Sequence, residues 1–277
     1  MIVWVNGHLR GAGEPALSAV DHGITVGNGV FETLRVYDGH PFEWGRHDAR
    51  LRRSAAGLDL EVPPVGVLLD AATTVLDANG LREARLRITV TGGPAPLGSA
   101  RGDASPTVIV AAGELAAPSP TAAVVVVPWT RNERSATAGL KTISYADNVR
   151  ALAYANERGA SEAIFANTRD ELCEGTGSNV FLIRGGAVAT PPESSGCLAG
   201  VSRAVVLELC ADLGIAVAEA PLPIHALAAA DAAFLTSSTR EVQAISHVDG
   251  AALRAAPDPV TERLAVAFRT RTRTLPV

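Results

Sequence analysis

Lysine is nearly absent from this chain. Of its 24 basic residues, 23 are arginine and one, Lys141, is lysine. Arginine can replace lysine as a surface charge. It cannot replace an amine that must shed a proton and attack a carbonyl, because guanidinium stays protonated. The surviving lysine is therefore a candidate for chemistry, with a chance surface position as the plain alternative. Cysteine is scarce too: Cys173, Cys197 and Cys210 are odd in number and lack CxxC spacing, which argues against a disulfide framework and against a zinc site. No apolar run reaches the roughly 20 residues a membrane helix needs, and the start, MIVWVNGHLR, lacks the layout of a signal peptide. A cytoplasmic protein with free thiols is expected. The net charge of -5 gives no electrostatic reason for a nucleic-acid or anionic-membrane partner. No GxGxxG follows a strand and opens a helix, and Walker, HExxH and GxSxG patterns are missing, which speaks against a nicotinamide dehydrogenase. Internal repeats and low-complexity tails are absent.

What is present is a soluble-looking core rich in Ala, Val and Leu, with 47% hydrophobic residues over 277 positions. That length exceeds one ordinary core, so two domains are expected. IVWV (2–5) reads as a strand before the turn pair Asn6-Gly7. GVFETLRVY (29–37), the turn Asp38-Gly39 and PFEW (41–44) read as a hairpin. Residues 47–57 and 65–78 read as helices, and 84–90 and 106–113 as strands around a Gly/Pro-rich loop. The stretch ELAAPSPT (114–121) has two prolines and no apolar period, which suits a linker. Beyond it come a strand at 123–129, a helix from Asn148, and the strands EAIFAN and NVFLIRGGAVAT. A helix at 201–214, three short strands and a helix at 261–272 complete the chain. Helices and strands mix without strict βαβ alternation, which indicates an α/β protein of mixed α+β type. The division expected is 1–115 as a small N-terminal domain, 116–121 as linker and 122–277 as a larger domain.

Five pieces could carry chemistry. Lys141 lies in AGLKTISYADNV, expected at a strand end near a helix start, where a partly apolar pocket would lower the amine's pKa. Glu174 follows in ELCEGTGSNVFL, read as a single acid in a loop before a strand. In LAGVSRAVVLELC, Gly200 leads into Val201, Ser202 and a helix whose first N–H groups could take an anion or be simply capped. In TSSTRE, Ser237 and Ser238 head a run of hydroxyls that could bind phosphate oxygens or make an ST-turn. Arg50, one turn after His47, offers a forked donor for phosphate. Arg46, Arg52 and Arg53 crowd the same helix, so a solvated face is the alternative.

Together the segments GNGVFET, HDARLRRSA, LKTISYADNV, ELCEGTGSNVFL, LAGVSR and TSSTREV occur in the order found in the class IV aminotransferases, the fold-type IV pyridoxal-5′-phosphate enzymes, which the chain resembles nearly end to end. The resemblance implies a site between a small and a large domain, pyridoxal 5′-phosphate as cofactor, and a homodimer. It implies that Lys141 bonds the cofactor and shuttles the proton, and that Glu174 keeps the pyridine nitrogen protonated. It implies that Arg50, Val201, Ser202, Ser237 and Ser238 bind the phosphate. Phe31, followed by Glu32, would line the substrate pocket, and Tyr145 would flank the cofactor. Asp21-His22-Gly23 and Gly27-Asn28-Gly29 stand where the family often has Asp-Arg-Gly and Gly-Asp-Gly. The loop TVTGGPAPLGS (89–99) lacks the arginine that D-amino-acid aminotransferases place there for the substrate carboxylate. Arg131 and Arg240, with Arg101 further off, are the alternatives in this sequence. The activity implied is transfer of an amino group from a D-amino acid, with (R)-primary amines as further candidate donors, to a keto acid acceptor. A 4-amino-4-deoxychorismate lyase is the alternative, and a branched-chain aminotransferase or a non-catalytic relative stands behind it.

Overall fold

The computed structural model describes residues 1–273. The described residues divide into two compact units, one formed by 1–116 with 140–144, the other by 117–139 with the residues from 145 on.

The first unit is an antiparallel sheet with helices on one face. In chain order its elements are β1 (Ile2–Val5), β2 (His8–Gly11), the single turn α1 (His22–Thr25), β3 (Gly29–Tyr37), β4 (His40–Pro41), α2 (Trp44–Ala56), α3 (Val65–Ala78), β5 (Ala84–Thr91) and β6 (Thr107–Gly113). The strands lie in the order β2-β1-β6-β5-β3-β4. Strand alternation places Val30, Glu32, Leu34 and Val36 in one row of β3. Val30, Leu34 and Val36 join Leu86, Ile88, Val90, Leu68 and Val75 in the core, and α2 packs on β3 with α3 on β6. On α2 the buried residues are His47, Arg50, Leu51, Ser54 and Ala55, the i, i+3, i+4, i+7, i+8 stripe of a core-facing helix. A carboxylate, an imidazole and a guanidinium thus occupy positions that periodicity reserves for apolar side chains.

The hairpin return PFEW is shorter than its sequence suggests. Pairing stops at Pro41, because Glu43 adopts a left-handed backbone (φ 52°) and turns the chain into α2 at Trp44. Since β4 pairs only with Val36 and Tyr37, the first half of the β3 edge is left for another segment. Residues 141–143 take it. The Phe31 N–H donates to the Lys141 carbonyl at 3.0 Å, Thr142 bridges Val30, and the Ile143 N–H donates to Gly29 at 2.9 Å. A Cβ on Gly29 would sit 2.7 Å from both Ile143 Cδ1 and the Val90 carbonyl, so this approach requires glycine. The segment 140–144 therefore packs with the first unit, unlike its expected place in the larger domain.

The second unit contains β7 (Thr121–Arg131), α4 (Ala146–Asn156), β8 (Glu162–Asn167), β9 (Leu172–Gly175), β10 (Asn179–Arg184), β11 (Ala187–Thr190), α5 (Val201–Asp212), β12 (Val217–Glu219), β13 (Ala232–Ser237), β14 (Glu241–Val248), β15 (Ala251–Ala252) and α6 (Pro259–Arg273). Its sheet runs β12-β11-β10-β13-β14-β7-β8-β9, with β15 paired to β14. The β14–β7 and β7–β8 pairs are parallel. The β7–β8 ladder shifts register between Val126 and Thr130, around Pro128, which has no N–H to give. Phe181 and Phe234 stack at 4.8 Å between ring centroids in its interior.

Candidate active site

In the first unit, Lys141 is half-buried and held by its backbone. Its N–H donates to Ser54 Oγ at 3.0 Å, while Leu140 covers Gly57 at the end of α2. Lys141 is not at the end of a strand, as its sequence suggests; β7 ends ten residues earlier, and only the Thr142 bridge follows the lysine. Its Nζ lies 4.5 Å from the centroid of the Phe31 ring. Arg87 of β5 lies over the same ring, Cζ at 3.8 Å. Arg87 was not anticipated. The signal was there: Arg85, Arg87 and Thr89 alternate with the core row Ala84, Leu86, Ile88, Val90, and Arg87 pairs with Thr33 beside Phe31.

Arg50 is buried, so the solvated-face alternative fails. Its Nε and Nη2 each donate to Glu32 at 2.7 Å, a forked contact. His47 Nδ1 contacts the same carboxylate at 2.7 Å. Burial pushes the Glu32 carboxyl up, but the bonds and charges of Arg50 and His47 outweigh it and hold the group at about 2. Burial lowers the His47 pKa, reinforced by the positive charges of Arg50 and Lys141 and opposed by Glu32.

In the second unit, Glu174 is on β9 rather than in a loop, paired with Phe165 of β8. One of its oxygens accepts the Leu198 N–H at 2.9 Å. The other lies 3.4 Å from Arg131 Nε without hydrogen-bond geometry, and that buried Nε has no hydrogen-bond partner among the described residues. Arg131 also stacks on Phe165 at 4.4 Å and donates to Asn148 at 3.3 Å. Its guanidinium is thus already engaged by Glu174, Asn148 and Phe165. Arg240 is likewise engaged, donating to Gln243 at 2.5 Å and to the Ser161 carbonyl at 2.9 Å, with Glu162 at 3.4 Å. Arg101, in the first unit, donates to the carbonyls of Ala104 and Asp59. Tyr145 precedes the first turn of α4 and is partly exposed. Cys173 and Cys197 flank Glu174; burial first, and then its charge, pushes both thiols up, Cys197 to about 11.

The N-terminus of α5 starts at Gly200 with no side chain capping it. Val201 and Ser202 are both buried there. A methyl on Gly200 would overlap the Asn179 side-chain oxygen, so the helix start fits closely against β10. α5 packs on β13, which ends in Ser237. Ser237 Oγ accepts the Arg240 N–H at 3.1 Å, an ST-turn, and Ser238 follows in the turn. The buried Thr236 hydroxyl, one residue earlier, has no hydrogen-bond partner among the described residues. Uncapped N–H groups at a buried helix start suit an anion. Among the described residues no cluster of acidic, His and Cys side chains could hold a metal ion, and no helix is long and apolar enough to cross a membrane.

Comparison with known proteins places these features in a family. The amino-transferase class IV family matches residues 29–248. The D-alanine aminotransferase of Bacillus licheniformis is 32% identical, covering 97% of this chain and 96% of the relative. The aminodeoxychorismate lyase of Bacillus subtilis is 30% identical over 90% of this chain and 87% of its own length. The solved branched-chain amino acid aminotransferase of Escherichia coli superposes with a TM-score of 0.92 at 27% identity, covering 97% of this chain and 93% of that one. The chain belongs to the class IV aminotransferases, enzymes that use pyridoxal 5′-phosphate.

Proposed function

We propose that this chain is a transaminase that moves an amino group from a D-amino acid, with (R)-primary amines as further donors, to a 2-keto acid, using Lys141 as its working amine. The observation that carries the reading is the placement of the one lysine, clamped by Ser54 and the β3 edge with its amine 4.5 Å from the Phe31 ring centroid. Arg87 over the same ring supplies a guanidinium for a substrate carboxylate, the role the 89–99 loop leaves unfilled.

The residues present fit the cofactor. Arg50, the Val201 and Ser202 N–H groups, Ser237 and Ser238 would hold its phosphate, and the Thr236 hydroxyl, without a hydrogen-bond partner among the described residues, marks unsatisfied polarity next to the two serines in the chain. Glu174 would hold the pyridine nitrogen in its protonated form. Bound there, pyridoxal 5′-phosphate supplies an aldehyde carbon for the amino group and a ring that accepts an electron pair. Lys141 takes a proton from the substrate Cα at Nζ and returns it elsewhere. Glu174, with Arg131 beside its carboxylate, would face the ring nitrogen, and Arg87 would orient the substrate. Phe31 excludes water from the amine.

The D-alanine aminotransferase relative, which spans nearly all of this chain, supports the choice of substrate. A second reading, transamination of branched-chain amino acids, is favoured by the fold match to the Escherichia coli enzyme. A third reading, lyase chemistry on aminodeoxychorismate, follows from the likeness to the Bacillus subtilis lyase. The test is to give the cofactor-loaded protein D-alanine, L-leucine and aminodeoxychorismate in turn. Loss of the cofactor's yellow absorbance with D-alanine, reversed by 2-oxoglutarate, is expected. Reaction with L-leucine alone, or release of 4-aminobenzoate without any response to D-amino acids, would replace the proposal.

A further inference from the structure

We infer that Glu32, braced by His47, is a positioning residue that fixes the Arg50 guanidinium as the phosphate grip of the cofactor site. The inference rests on the assignment of Arg50 to the phosphate made above and goes one step beyond it, to the residues that set its geometry.

Glu32 is a misfit in its strand. Position 32 lies in the core row of β3 with Val30, Leu34 and Val36, where strand alternation calls for an apolar side chain. Burying a carboxylate and a guanidinium together forfeits their hydration, and a well-packed apolar pair of similar volume is often as stable or more so. The fold alone therefore gives no reason for Glu32 or Arg50. If Arg50 is needed for an anion, however, it must be buried in one orientation, and a buried guanidinium needs a partner. Glu32 provides it on one edge, taking Nε and Nη2 at 2.7 Å each. A forked contact fixes the plane of the guanidinium as well as its position, which a single bond cannot do.

The carboxylate is itself held. His47 Nδ1 is 2.7 Å from Glu32 Oε2, and an ionised carboxylate only accepts, so this nitrogen carries the proton. The charged groups that act on His47 are Glu32, Arg50 and Lys141, and Asp48, next to it in the chain, lines the same shallow crevice. The other walls of that crevice, Leu34, Trp44, Leu51 and Ile88, are apolar or aromatic. His47 thus acts as a neutral donor that steadies Glu32 without adding charge near Arg50. Its place in the α2 stripe, one turn before Arg50 and two before Ser54, lets one helix face carry both the arginine and the anchor of the Lys141 backbone.

A positioning role differs from two simpler ones in what it predicts. If Glu32 only neutralised Arg50, removing its charge would strengthen phosphate binding. If it only supported the fold, its loss would weaken all cofactor binding alike. The affinities of wild type, Glu32→Asp, Glu32→Gln and Arg50→Met for pyridoxal 5′-phosphate and for pyridoxal, which lacks the phosphate, separate these cases. Folding is checked by circular dichroism. Wild type should prefer the phosphorylated form and Arg50→Met should lose that preference. If either fails, the assignment of Arg50 falls, and the inference with it. If both hold, Glu32→Asp, which keeps the charge but withdraws it by one methylene, should lose at least about tenfold of the preference, as should Glu32→Gln. A preference in both variants equal to or above that of wild type, or an equal loss for both ligands, would overturn the positioning role while leaving Arg50 in place. Should neither Glu32 variant fold, His47→Phe, which suits the apolar crevice, decides. About a threefold drop in the preference supports the brace, and no change overturns it.

Discussion

Glu32 and Glu174 each face an arginine, and the two pairs differ in how closely they are made. The Glu32 carboxylate has no exposed surface and takes three donors at 2.7 Å, two from Arg50 and one from His47. The Glu174 side chain keeps 14% of its surface, receives the Leu198 N–H, and has Arg131 Nε only at 3.4 Å without hydrogen-bond geometry. In the first pair the protein meets the needs of the charges internally, so the pair holds shape. The second pair fixes where a negative charge sits and leaves it a flank open to solvent, which is what a group that must meet a ligand requires. Neither the carboxylate nor its distance from arginine in the chain distinguishes the two; dryness and the number of donors do.

The largest effect expected stands outside both pairs and calibrates them. Lys141→Arg keeps the charge and the backbone bonds to Ser54 and Phe31, so the fold should persist. Turnover should fall by at least about a thousandfold, because guanidinium cannot give up its proton. Reduction with borohydride should fix no cofactor to the variant protein. Full activity in this variant would remove the ground for treating Glu174 as a working group.

The two carboxylates should then fail in opposite ways. Glu32→Ala removes the buried carboxylate to which Arg50 donates twice and should cost roughly 3 to 5 kcal/mol of stability, read from urea unfolding. Glu174→Gln removes a charge from a half-open site, so the melting temperature should move little while kcat falls by about a hundredfold. A Glu174→Gln protein that unfolds easily, or a Glu32→Ala protein as stable as wild type, would erase the distinction.

Acid should find the dry pair first. The folded-state carboxyl of Glu32 sits at about 2, against an ordinary value of 4.5. The stability it contributes is full above pH 4.5 and drains away as pH falls towards 2. His47 is lowered from its ordinary 6.5, so below pH 6.5 the unfolded chain takes up a proton that the folded chain refuses. Stability should therefore begin to fall near pH 6.5 and fall again below 4.5. In His47→Phe the upper limb should flatten and the lower one remain. An unchanged slope between pH 6.5 and 5 in that variant would show that His47 is not the group responsible.

Much of this was legible in the sequence, and what escaped had a physical reason. Alternation gave β3 with its turn at Asp38-Gly39, and apolar spacing gave α3 and α5 almost to the residue. The ordered motifs singled out Lys141 and Glu174 as candidates, and the LAGVSR segment placed the start of α5 at Val201, where it is found. The edge position of 141–143 was hidden because it depends on β4 ending after two residues, which follows from the backbone of Glu43 and not from any pattern in 41–44. Arg131 and Arg240 looked available because sequence shows charge and not partners; Glu174, Gln243 and Glu162 lie 43, 3 and 78 positions away. Glu32, His47 and Arg50 could have been found together. A charged residue in the period-2 row of a strand, facing two more in the stripe of a helix, is a misfit that periodicity alone exposes.

The smallest effect tests whether closeness or dryness decides the worth of a pair. Arg82 and Asp38 approach to 2.5 Å, closer than Arg50 and Glu32, and Arg82 donates twice to the same Asp38 oxygen. Yet their side chains are 71% and 79% exposed. Water and salt screen the attraction, and ordering two long side chains in solvent offsets most of what is left. Arg82→Ala should shift the melting temperature by about 1 °C or less, and the shift should shrink further in high salt. Glu32→Ala should keep its full effect in the same salt, since no ions reach a carboxylate with no exposed surface. A loss in Arg82→Ala comparable to that in Glu32→Ala would mean that distance, and not burial, sets the strength of these pairs, and the contrast between Glu32 and Glu174 would have to be drawn on other grounds.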